Sequence, residues 1–168
     1  MMVTIRVRSI VWFATGVVVA LVASLVVLQA WRVDAAPGDS DTTLVPITPC
    51  RLVDTRPAPF RVGPHATLGV AETTTVQATG TNGECVIPAE AVGLAMNVTA
   101  VNATVETFLT FWPSGDLPLA ANLNPAPGQP PNPNSVTVSL AAGGSFKAYN
   151  NAGTVDAVID LNGYYINT

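Results

Sequence analysis

The sequence predicts an all-β fold, an antiparallel β-sandwich or a jelly-roll-like arrangement, placed behind an N-terminal signal or transmembrane helix. Three observations carry that expectation. A charge-free apolar run stands near the N-terminus, from Ile10 to Leu28. Beyond residue 40 the hydrophobic pattern alternates with a period of two, in short runs rich in β-branched and aromatic residues. Between those runs stand clusters of Gly, Asn and Pro, which suit tight connections because Gly and Asn tolerate positive φ and Pro fixes it.

The apolar run comes first. Its nineteen residues, "IVWFATGVVVALVASLVVL", would span about 28 Å as a helix, close to the roughly 30 Å hydrocarbon core of a bilayer. Arg6 and Arg8 precede it, and Asp34, Asp39 and Asp41 follow it. Positive flanks stay cytoplasmic, so everything after Leu28 is expected outside. Two fates fit residues 1–35. Val33 and Ala35 are the small residues that a signal-peptidase site wants, whereas the length of the run favours an uncleaved anchor. Residues 36–43 read as a polar, turn-rich tether, and 44–168 as a single module.

Charge narrows the function classes. Residues 36–168 carry Arg51, Arg56, Arg61 and Lys147 against ten acidic side chains, a net charge of −6. A nucleic-acid partner would need a basic surface, so that class is set aside. Cys50 and Cys85 are the only cysteines. Outside the cytoplasm an isolated pair is expected to join as a disulfide. Two distant thiols and one histidine do not make a zinc ligand set, and no metal or cofactor is expected.

The clearest strand is "VGLAMNVTAV", with Val92, Leu94, Met96, Val98 and Ala100 on one face. The small residues of its other face suggest that this face too is partly covered. Further strands are read in "CRLVDT", "TTTVQAT", "TFLTFW", "SVTVSL", "SFKAYN" and "VDAVIDLNGYY". "TNGE", "PSGD", "AAGG" and "NNAG" mark turns. The last two leave so few residues between the final three strands that an antiparallel meander is the simplest reading. "NPAPGQPPNPN", from Asn124 to Asn134, should be an exposed loop, because prolines cannot donate ladder hydrogen bonds.

Four ordered blocks, "TPCRLVDTR", "CVIPAEAVGLAMNVTAV", "FLTFWPSG" and "VIDLNGYY", together resemble a family of secreted bacterial β-modules. Those modules begin on a Cys-Arg-Leu-hydrophobic-Asp-Thr-Arg run and end on Asp-x-Gly-Tyr-aromatic. The resemblance covers about Val45 to Tyr165. It implies a surface or secreted accessory domain without a known reaction, and a pairing of Cys50 with Cys85, since part of the family carries cysteines at these positions.

Several residues invite chemistry. On a strand, Arg51, Val53 and Thr55 would share one face and Leu52, Asp54 and Arg56 the other, so Asp54 and Arg56 can pair, with Asp160 as a second partner for either arginine. The favoured expectation is that the first and last strands meet and that Arg51, Asp54, Arg56 and Asp160 are structural ion pairs fixing their register. The alternative is an anion or sugar clamp built on Arg51 and Arg56. Asp156 and Asp160 would lie about 13 Å apart along one strand face, too far for a glycosidase pair, and no calcium-loop motif accompanies them. His65 sits in a Gly/Pro-rich loop without a nucleophile elbow, which argues against a hydrolase. Lys147 raises a covalent crosslink only if buried beside a carboxylate or carboxamide.

Aromatic rings matter because a flat ring can stack on a sugar. Trp112, Tyr149 and Tyr165 are the candidate ligand platform. Phe111 and Trp112 are adjacent and must point oppositely, one into the core and the other exposed or covered by a loop. The sequence thus leads to a non-catalytic extracytoplasmic module for adhesion, scaffolding or envelope association, secreted or membrane-anchored. Its partner would be an envelope glycan or a surface protein. A carbohydrate-binding module using Trp112 and the Pro125–Pro133 loop is the alternative, and an extracellular hydrolase the remote one.

Overall fold

A computed structural model of the chain describes residues 41–168; the expected leader helix, its cleavage site and tether residues 36–40 lie outside them. Nine strands follow in order: β1 (Thr42–Asp54), β2 (Glu72–Gln77), β3 (Gly80–Asn82), β4 (Cys85–Ile87), β5 (Gly93–Val101), β6 (Leu109–Trp112), β7 (Asn132–Ser139), β8 (Ser145–Asn150) and β9 (Asp156–Asn167). They build two antiparallel sheets, β1-β9-β5-β7 and β2-β8-β6, with β3-β4 as a small separate hairpin. The fold is all-β, as the period-two pattern predicts.

The alternation in β5 shows why the two sheets close on each other. Leu94, Met96, Val98 and Ala100 are all buried, while Ala95, Asn97, Thr99 and Val101 on the other face are half-buried. β8 does the same from the opposite sheet with Phe146 and Ala148. Phe111 of β6 approaches Phe146 with ring centroids 6.4 Å apart, which gives the core an aromatic centre. Each inward side chain removes apolar surface from water at about 25 cal/mol per Å², so the pattern favours two facing layers over any single exposed sheet.

Both edges of the larger sheet carry proline. Pro46 and Pro49 lie in edge strand β1, and Pro133 in edge strand β7. An edge strand can lack a donor on its outer side, and proline there discourages pairing with another chain.

Three sequence expectations need correction. Thr42 and Thr43 pair with Asn167 and Ile166, so the tether ends before them: closing against the C-terminal strand satisfies their backbone groups. Asn132, Pro133 and Asn134 pair with Ala100, Thr99 and Val98, so the proline-rich loop stops earlier than its composition suggests.

Nor do the last three strands form a meander. β7 and β9 belong to the larger sheet and β8 to the smaller, so the chain crosses the core twice. Periodicity tells which face is buried, not which strand lies alongside. The first crossing uses Gly143 and Gly144 at φ 95° and 77°. A Cβ on Gly144 would overlap the Thr79 side chain, so only glycine fits. The second crossing is organised by Asn150, which is fully buried. Its amide donates to the carbonyls of Gly69 at 2.8 Å and Gly153 at 3.0 Å and accepts from the Thr107 hydroxyl at 2.7 Å.

Candidate functional site

The charged residues gather on the outer face of the four-stranded sheet, and the register creates the cluster. Arg51 stands opposite Asp160, but the next paired residue of β1 is Val53, opposite Ile159, so Leu52 is an inserted bulge residue. The bulge cancels the simple alternation. Arg51 and Asp54, which a regular strand would place on opposite faces, come to the same side, with Arg51 Nη1 donating to Asp54 Oδ2 at 3.3 Å. This corrects the face assignment read from the sequence.

Arg51 also grips Asp160 with two parallel hydrogen bonds, Nε to Oδ1 at 2.8 Å and Nη2 to Oδ2 at 2.9 Å. That fork geometry is the strong form of the pair. After Asp54 the chain turns back on itself. The Asp54 carboxylate accepts from the Arg56 backbone N–H at 3.1 Å and from its guanidinium at 2.9 and 2.6 Å. The returning loop is tied by Asp54 N–H to Val62 O at 3.0 Å and Val62 N–H to Asp54 O at 3.1 Å. Phe60 lies against Arg56, whose guanidinium carbon is 4.5 Å from the ring centroid.

The Asp54 side chain is fully covered, while those of Arg51 and Arg56 remain 32 % and 28 % exposed. Burial alone would push the Asp54 carboxyl up, but the hydrogen bonds from Arg56 and the charges of Arg56 and Arg51 outweigh it and hold the pKa below the usual carboxylate value. The structure thus brings Arg51, Asp54, Arg56 and Asp160 into one network between the first and last strands.

Cys50 and Cys85 are joined, with Cα atoms 5.4 Å apart. The bond fastens the β3-β4 hairpin to β1, and the Glu84 N–H donates to the Arg51 carbonyl at 2.8 Å beside it. The hairpin turns on Gly83, where a Cβ would strike the Leu52 carbonyl.

The remaining polar candidates are held by neutral partners. Asp156 is buried and accepts from Thr67 at 2.7 Å, Asn102 at 2.8 Å and Thr55 at 3.3 Å. His65 Nδ1 is 3.1 Å from the Thr74 hydroxyl. Burial holds its pKa below the ordinary value against an opposing effect of Glu72. Lys147 Nζ donates to the Gly115 carbonyl at 3.0 Å and stands 5.6 Å from the Trp112 ring centroid. Among the described residues no group of three or more His, Cys, Asp or Glu converges as a metal site.

The aromatic platform expected from the sequence is not assembled. Trp112 is only 6 % exposed. It faces away from the core beside Lys147, its cross-strand partner, and the segment after it folds back as a cover. Trp112 Nε1 donates to Gly115 O at 3.3 Å, and Thr110 Oγ1 donates to Ala120 O at 2.6 Å. Tyr149 is half-buried against Phe108, with ring centroids 5.9 Å apart. Tyr165 belongs to the other sheet, opposite Gly93. A ring beside a proline-led turn could have been an exposed platform; here the turn shields it.

The feature the sequence reading missed is an open depression of about 840 Å³ over the Arg51–Asp160 pair, walled by Phe60, Arg61 and Glu84. Phe60 is 56 % exposed. Its place in "RPAPFRVGP", an aromatic and a cation inside a proline-rich loop, was the available signal.

Fold and site together define a two-sheet, disulfide-fastened β-module whose terminal strands are joined by a guanidinium–carboxylate network. Comparison of the chain with protein-family models, with curated proteins and with solved structures finds no match among them.

Proposed function

We propose that the protein is a non-catalytic extracytoplasmic module, exported or anchored by its N-terminal apolar run, and that it serves adhesion, scaffolding or envelope association. The observation that carries this reading is the use made of the strongest charges. Arg51, Arg56, Asp54 and Asp160 are engaged with one another across β1 and β9, an arrangement suited to holding strands together rather than to moving protons. The Cys50–Cys85 disulfide is compatible with an oxidising location, and the four sequence blocks resembling secreted β-modules point the same way. The test is protease accessibility of the full chain on intact cells, combined with turnover assays on ester, peptide and glycoside substrates. The reading expects accessibility and no turnover; hydrolysis abolished by Asp160→Asn would overturn it.

A second reading, carbohydrate binding, is favoured by one observation: an exposed aromatic ring, Phe60, stands beside an open polar depression. Here the ring comes from the loop after β1 and the polar groups from the outer face of the larger sheet, not from Trp112.

A further inference from the structure

The register places one polar side chain from each strand of the larger sheet in a single row. Arg51 of β1 faces Asp160 of β9, Asp160 faces Asn97 of β5, and Asn97 faces Ser135 of β7. Directly opposed residues project from the same face of a sheet, and strands lie about 4.8 Å apart, so the row runs for about 14 Å across the floor of the depression. An apolar or β-branched surface is the usual outcome at the middle of a sheet; a four-strand polar row calls for a reason.

The groups on this row and its rim are suited to hydroxyls. Among the described residues the Asn97 and Asn162 amides, the Ser135 hydroxyl and the Glu84 carboxylate have no side-chain hydrogen-bond partner. Arg61, which lines the depression, uses only Nε, donating to the Arg56 carbonyl at 3.4 Å, so its terminal nitrogens are not engaged by a side chain or carbonyl of the described residues. Amides, a carboxylate and a guanidinium offer donors and acceptors at fixed spacing, which adjacent sugar hydroxyls can satisfy in pairs.

Charge selects further. Two guanidiniums, Arg51 and Arg61, stand against two carboxylates, Glu84 and Asp160, so the lining is formally neutral. A polyanion would meet a module of net charge −6 without a compensating basic patch, and a lining whose carboxylates are matched by as many guanidiniums gives a polycation no specific hold. Phe60 supplies the apolar surface. It borders both this depression and a neighbouring one, and Arg56, which covers one face of the ring, lines only the neighbour. Arg56 covers one face only, so the exposed remainder of the ring is free to meet a ligand.

From this arrangement we propose that the outer face of the β1-β9-β5-β7 sheet binds an uncharged glycan, with Phe60 stacking on a sugar face and Arg61, Asn97, Ser135 and Asn162 holding its hydroxyls. The proposal rests on the carbohydrate-binding reading and gives it a location. The test is saturation-transfer NMR and calorimetry on the full chain, in a detergent without a sugar headgroup, with cello-, chito-, malto- and mannohexaose as probes. At least one probe binds. Phe60→Ala weakens that binding about tenfold, the loss of about 1.4 kcal/mol of stacking, and Ser135→Trp, which fills the row at the open edge, abolishes it. Both positions are exposed, so both variants stay folded: Ser135→Trp keeps the parent melting temperature, and Phe60→Ala lowers it only by the lost contact with Arg56, both measured alongside. Binding that survives both substitutions overturns the location while leaving the glycan reading standing; failure of the parent chain to bind any of the four overturns both.

Discussion

Arg51 and Asp160 face each other across β1 and β9 with two parallel hydrogen bonds of 2.8 and 2.9 Å, although 109 residues separate them in the chain. Closing so long a loop is entropically costly, and a directional pair at the junction helps to select one register. A slip of one residue would turn every side chain of β1 to the other face and expose Leu52 and Val53. Behind Arg51, Asp54 has no exposure and two cations within 3.3 Å.

Replacing Asp54 by Asn leaves Arg51 and Arg56 facing a neutral amide under the loop. Orphaning a buried charge costs about 3 to 5 kcal/mol, and because both guanidiniums keep contact with water the expected loss lies near the lower figure. Urea unfolding of the variant against the parent measures it; a loss below about 1 kcal/mol would show that the network contributes little to stability.

The same carboxylate sets an acid limb. Its folded pKa is below the unfolded value, so the stabilisation is fully present above about pH 3.9 and is lost as pH falls through the folded pKa. His65 also has a lowered folded pKa, and its neutral form is favoured in the folded state, so an earlier loss begins as pH falls below about 6.5. Melting temperatures between about pH 2 and 8 should show both, with His65→Gln removing the upper step and Asp54→Asn the lower.

Cys50 and Cys85 close a loop of 35 residues' separation. In the chain-entropy account their bond stabilises by roughly 3 to 4 kcal/mol. The double variant Cys50→Ala, Cys85→Ala should lose about that amount in denaturant unfolding, and a reducing agent should shift the parent but leave the variant unchanged.

Asn150→Ala would strip partners from the carbonyls of Gly69 and Gly153 and from the Thr107 hydroxyl. Each buried group left unsatisfied costs about 1 to 3 kcal/mol. An expected loss of about 3 kcal/mol, read by urea unfolding, should come with faster hydrogen exchange in residues 150–154.

Trp112→Ala separates a packing role from a ligand platform. With the ring nearly buried under the following turn, the substitution should cost about 3 kcal/mol of stability. It should leave the affinity of the folded protein for any glycan that binds at Phe60 unchanged. A variant of parent stability that had lost glycan affinity would restore Trp112 as the contact.

The amino-acid sequence alone determined what local pattern can encode. Alternation in "GLAMNVTAV" marked the buried face of β5, "SFKAYN" was legible as a strand, and glycine and asparagine marked the turns. The pairing residues of the first and last strands could be named because charges on an apolar run need partners. Tertiary structure decided what depends on neighbours distant in the chain. Which sheet receives β8, the bulge that turns Arg51 and Asp54 to one side, the turn that covers Trp112 and the polar row from Arg51 to Ser135 all arise from register between strands far apart in sequence. Periodicity reports only the two faces of a single strand, whereas a site on a sheet is built across strands.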